Sequence, residues 1–74
     1  MEEELKKELK EGFSEIVWDL DGIIEEEGAL EATKTLIGVL WEQYYMKAPA
    51  FPKSQILEII GALEGLLRKY GSNS

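Results

Sequence analysis

The chain has 74 residues, no cysteine, no histidine, and eight basic against fifteen acidic residues, for a net charge of −7. Disulfides, zinc or haem ligation and Ser–His or Cys–His catalysis therefore lose their participants, and direct binding to nucleic acid or to an anionic membrane lacks a basic face. A domain of this size buries only about 60% of the surface its unfolded chain exposes, so association with another chain is the remaining supplement to a small core.

The first element is expected as a helix over residues 2–27. Leu5, Leu9, Phe13, Ile16, Leu20 and Ile23 step by three and four along one stripe, which Val17 and Ile24 widen. Glu2 with Lys6 and Glu3 with Lys7 stand as Glu-first i, i+4 pairs on the opposite side. Gly12 offers a place for a break, with Phe13 as a staple residue, Ser14 as a fresh N-cap and Trp18 facing the staple. Gly22 offers another. Gly28 is the preferred end, because glycine takes a positive φ at no steric cost and Ile23 and Ile24 continue the stripe.

A second helix is expected over 29–47, with Leu30, Leu36, Ile37, Leu40, Trp41, Tyr44 and Tyr45 as its apolar face. Pro49 and Pro52 then force an extended connection, since each disfavours helix in the residue before it. The third helix is expected over 54–70, with Ser54 as its N-cap and Gly71 as its C′ glycine. Residues 72–74 are expected to fray. Residues 1–71 thus form one all-α domain, either a three-helix bundle or a helical hairpin with a third helix, completed by dimerisation.

The third helix carries the argument for that dimer. Ile56, Ile60, Leu63, Leu67 and Tyr70 trace its stripe, and Leu57, Ile59 and Leu66 broaden it past half the circumference. Such a helix has more apolar surface than two neighbours can cover. Gly61 and Gly65, four apart around Ala62, would let a second backbone approach closely. Alternatively, these glycines make room for a ring from the same chain, Trp18 or Trp41. The expected partner contacts are Ile59, Gly61, Ala62, Gly65 and Leu66, with Tyr45 and Phe51 as a second patch beside the proline loop. Trp41 and Tyr44 are expected in the core.

Residues 16–24 read Ile-Val-Trp-Asp-Leu-Asp-Gly-Ile-Ile and resemble the strand-then-Asp-x-Asp-Gly signature of haloacid dehalogenase-type phosphohydrolases. The resemblance implies Asp19 as nucleophile, Asp21 as acid/base and a magnesium ion between the first Asp and the phosphate. It covers nine residues and departs at Ile23, where the family has Thr, and the doubly wound sheet it requires exceeds the residues that follow. On the helix expected here, Asp19 and Asp21 lie about 200° apart and cannot serve one atom. A calcium loop in the same register fails at Val17 and Gly28. Glu25, Glu26 and Glu27 read as a solvated surface.

The composition also lacks a basic-then-apolar leader and any run near the roughly 20 apolar residues of a membrane span. Abundant Glu and Lys with little Asn and Gln resembles proteins of high growth temperature. The sequence thus leads us to expect a cytoplasmic, acidic, self-associating protein–protein interaction module without cofactor, metal or catalysis, with a homodimer or a larger protein as its partner. An acidic regulator that imitates DNA toward a nucleic-acid-binding protein is the alternative. A magnesium-dependent phosphohydrolase fragment is the remote one.

Overall fold

A computed structural model describes residues 2–71, and among these the chain forms four α-helices: α1 (Glu2–Phe13), α2 (Leu20–Glu27), α3 (Ala29–Tyr45) and α4 (Lys53–Gly71). The expected tail over 72–74 lies outside the described residues. α3 is central. α1, α2 and α4 all pack on it, α1 also meets α2 and α4, and α2 makes no close backbone approach to α4.

The single helix expected over 2–27 is two helices. Unbroken, those 26 residues would extend about 39 Å, longer than the 36 Å long axis of the whole protein, and its far end would have nothing to pack on. The chain instead breaks one residue after Gly12. Phe13 closes α1 as a buried residue, and its carbonyl accepts from the amides of Ile16 and Val17 at 3.1 and 2.9 Å. Asp19 then takes a left-handed conformation, φ 61° and ψ 33°, which Asp adopts more readily than most residues. That reversal starts α2 and returns Leu20 and Ile24 to the core. Phe13 and Ser14 therefore do not staple and cap a new helix, and Gly22 lies inside α2 rather than at a joint.

Gly28 is the joint, as expected, with φ 85° and ψ 156°. Its amide donates to the Ile24 carbonyl at 2.8 Å, and its own carbonyl accepts from Ala32 at 2.9 Å, so one residue ends α2 and starts α3. The first turn of α3 is satisfied from far away in the sequence. The Glu2 carboxylate accepts from the Ala29 amide at 2.7 Å, placing a negative charge at the positive end of the helix dipole. The anticipated pairs of Glu2 with Lys6 and Glu3 with Lys7 are not among the ion pairs formed.

α3 ends at Tyr45 rather than at residue 47. Met46 is extended, φ −74° and ψ 152°, and the Gln43 side chain accepts from the Ala50 amide at 3.1 Å. At α4 the Pro52 carbonyl accepts from Ile56 at 3.0 Å, so Pro52 holds the capping place and Ser54 lies in the first turn. Gly71 stays helical and is not a left-handed C′ residue. Its glycine is explained by packing, since a Cβ there would meet Leu30 Cδ1 at 3.2 Å.

The core joins Leu5, Leu9 and Phe13 of α1, Leu20 and Ile24 of α2, Ala29, Ala32, Leu36 and Leu40 of α3, and Ile56, Ile59, Ile60 and Leu63 of α4. Trp41 and Tyr44 pack against it half-buried, close to expectation. Among the described residues Thr33 is the buried polar one, and its hydroxyl donates to the Ala29 carbonyl at 2.8 Å, so it is not an orphan.

At the edge of the core, α1 and α4 are clasped by Glu8, Lys69 and Tyr70. The Tyr70 hydroxyl donates to Glu8, and Lys69 lies 3.4 Å from the same oxygen. The Tyr70 hydrogen bond and the Lys69 charge hold the Glu8 carboxyl below its ordinary 4.5. The hydrogen bond to Glu8, with partial burial, raises Tyr70 above 10.0 against the opposing pull of Lys69, and hydrogen bonds to Tyr70 and Glu8 raise Lys69 above 10.5. A lowered carboxyl adds stability above its unfolded pKa and loses it as pH falls through the folded one. The raised Tyr and Lys lose theirs as pH climbs through their folded values. Tyr70→Phe is thus expected to lower the melting temperature slightly between pH 5 and 9, with the gap to wild type narrowing at both extremes. A gap independent of pH would mean that the hydroxyl acts by packing alone.

Candidate functional site

Residues 14–19 are too few and too irregular for a helix, and their side chains divide between inside and outside. Ile16 and Val17 pack against the core, Leu20 is buried, and Trp18 between them is 93% exposed. The left-handed turn at Asp19 is what leaves the indole at the tip of the bend while the chain on either side turns inward.

Opposite this bend stands α3, which presents Leu36, Val39, Leu40 and Gln43 at steps of three, one and three, a single helical face. Val39 is 47% exposed. The connection after α3 supplies Ala50 and Phe51 and is held by the Gln43 to Ala50 hydrogen bond. At its far end the Lys53 ammonium lies 5.2 Å from the centre of the Tyr44 ring. Leu36, Val39, Leu40, Gln43, Ala50 and Phe51, together with Ile16, Val17, Trp18 and Ile23, enclose a groove of about 300 Å³ with no charged residue among the described residues of its lining. A second depression of about 240 Å³ shares Val17 and Trp18 with the groove and is lined by Ser14, Asp19, Leu20 and Asp21 as well.

The aromatic group expected beside the proline loop forms a ladder. Trp41 stacks on Tyr45 at 6.1 Å and 23°, while Tyr44 meets Trp41 and Tyr45 edge-on at 5.6 and 5.2 Å. Tyr45 is 75% exposed, lies outside the groove lining and stacks over one face of Trp41. Phe51 is half-buried and does line the groove.

The contacts expected on α4 separate. Ile59 is only 7% exposed and belongs to the core of the single chain. Gly61 and Ala62 are exposed, and Gly65 and Leu66 are half-buried. Nothing lies within 4 Å of a Cβ built on Gly61 or Gly65, so neither Trp18 nor Trp41 packs over them. The intrachain explanation of these glycines is thereby overturned.

Asp19 and Asp21 do not share a helix, as the sequence reading had supposed. Asp19 is the turn residue, its carboxylate lying over the Cα of Gly22, and Asp21 pairs with Lys10 at 3.5 Å. Residues 16–18 form a turn, so the strand that the phosphohydrolase signature begins with is not formed. Among the described residues no group of three or more acidic side chains is placed to hold a metal ion, and no helix is long and apolar enough to cross a membrane. Glu27 accepts from the Thr35 hydroxyl at 2.6 Å, tying α2 to α3.

Sequence reasoning missed Trp18 and Val39 as site residues. The available signal was that Trp18 lies off the stripe of Ile16, Leu20 and Ile23, so a helix through it would already have turned the indole to water. The chain matches no family model, no curated protein and no solved structure.

Proposed function

We propose that this protein is a small acidic helical interaction module of the cytoplasm that works by protein–protein contact at the groove beside Trp18, without catalysis. The observation that carries this reading is the 93% exposed indole on the rim of an uncharged groove. Leaving a large apolar side chain in water forgoes about 1.5–3 kcal/mol, and a contiguous exposed apolar surface is where soluble domains meet partners. Trp18→Ala removes nothing from the core. Affinity capture from the native lysate is expected to lose its specific partner with Trp18→Ala and with Val39→Asp while helical circular dichroism is retained. Identical captures by all three proteins would refute the groove as the contact.

Self-association through α4 is a second reading. It is supported by Leu57, 43% exposed, on the same outer face as Gly61 and Gly65, whose Cα atoms stand open. Sedimentation of wild type and Leu57→Glu tests it: a dimer that the substitution converts to monomer supports it, and a wild-type monomer at high concentration removes it.

A further inference from the structure

Between Lys10 and Lys34 the chain carries eight acidic residues and no basic one. This stretch builds the Ile16, Val17, Trp18 and Ile23 wall of the groove, which is therefore apolar within and acidic along that flank, while Lys47 and Lys53 bracket the Ala50 and Phe51 wall in sequence. Asp19 and Asp21 line the depression that shares Val17 and Trp18 with the groove. Glu27 is held against Thr35, one helical turn before Val39. Of the eight acids, Asp21 and Glu31 are ion-paired, to Lys10 and Lys34.

Resting on the groove as the contact site, we propose that its occupant is a cationic amphipathic helix, with bulky apolar side chains on one face and Lys or Arg flanking them. Charge selects the sign of the partner, because opposite potentials favour encounter and like potentials oppose it. A second copy of this chain at the same groove would set the acidic stretch against itself, since a two-fold interface pairs one patch with its own image. Backbone chemistry selects the helix. The walls are helices, a turn and the proline connection, with no strand among the described residues, so an extended peptide laid in an uncharged groove would find no sheet edge to pair its own amides and carbonyls. A helix satisfies them internally and inserts side chains at i, i+3 or i+4, and i+7. The α3 wall from Leu36 to Gln43 runs about two turns, matching such a spacing.

The test uses three synthetic helical peptides of equal length: a Leu/Lys amphipath, a neutral Leu/Gln amphipath, and a Lys/Gln peptide with no apolar face. Binding is read from Trp18 fluorescence in a Trp41→Phe background, with circular dichroism as the check on folding. The Leu/Lys peptide is expected to shift the indole emission to the blue and to bind about tenfold or more tighter than Leu/Gln, with affinity falling as salt rises. Val39→Asp should weaken it about tenfold. That substitution also makes the protein more negative, so if charge alone drove binding it would strengthen it.

Equal binding of Leu/Gln and Leu/Lys, both sensitive to Val39→Asp, would overturn the cationic partner and leave the groove standing. Leu/Lys binding that Lys/Gln matches, or that Val39→Asp leaves unchanged, would overturn both. No binding of Leu/Lys, or a dimer in sedimentation that Val39→Asp dissolves, would equally overturn the proposed occupant.

Discussion

Leu63→Ala is expected to lose about 2–5 kcal/mol of stability, the range for truncating a fully buried leucine whose cavity cannot collapse. Leu63 has no exposed surface and lies on α4, whose pairing with α3 is the most extensive between helices in the protein. A domain of this length has a total stability of about 4–11 kcal/mol at roughly 0.05–0.15 kcal/mol per residue, so one side chain holds a large share of the fold. Urea denaturation should show a midpoint lowered accordingly. The paired control is Leu57→Ala on the outer face of the same helix, where 43% exposure leaves little transfer energy to lose and the change should stay within about 0.5–1 kcal/mol. Equal losses at both positions would mean that α4 is not oriented as described.

Gly28→Ala is expected to cost about 1–3 kcal/mol through the backbone alone, since φ 85° with ψ 156° falls in a region that is nearly exclusive to glycine. No collision is involved: a Cβ at Gly28 would meet only the Glu2 carboxylate, at 3.7 Å. Relaxing φ to a negative value would release that strain but pull apart the hydrogen bonds from Gly28 to Ile24 and from Ala32 to Gly28. Gly12→Ala gives the opposite sign. Gly12 is helical with nothing within 4 Å of its would-be Cβ, so alanine there should stabilise by about 0.5–1 kcal/mol. Thermal melts of the two variants should move in opposite directions, and a stabilised Gly28→Ala would disprove the positive-φ joint.

These two glycines also show what was legible in the sequence. Gly28 ends a stripe and precedes another, so its role could be read from pattern alone. The break after Gly12 could not, because Phe13 and Leu20 are seven residues apart, two helical turns, and stay in phase whether the chain between them continues or folds back. What decides is cover: a helix of 26 residues has no neighbour along its far half, and nothing local in the sequence states the length of the neighbours.

α3 and α4 were legible because Pro49 and Pro52 separate them and each carries a regular stripe. Their exact buried arcs were not. Ile59 and Leu66 both flank the α4 stripe, yet Ile59 is in the core and Leu66 is half-exposed, a difference set by where α3 and α1 lie. The groove was the least legible feature. It needs the bend at 14–19, one face of α3 and the proline connection to converge, and each looks unremarkable alone.

The position of α2 has a consequence for motion. It rests on α3 and α1 but not on α4, so detaching it uncovers Leu20 and Ile24 while the other three helices keep their mutual packing. Its opening is thus a sub-global event of lower free energy than unfolding. In deuterium, the amides of Ile23 and Ile24 should exchange well ahead of those of Leu40 and Leu63. Because Ile23 lines the groove, such an opening of α2 would also widen the gap between the walls, so that side chains of larger girth are admitted through a motion other than global unfolding.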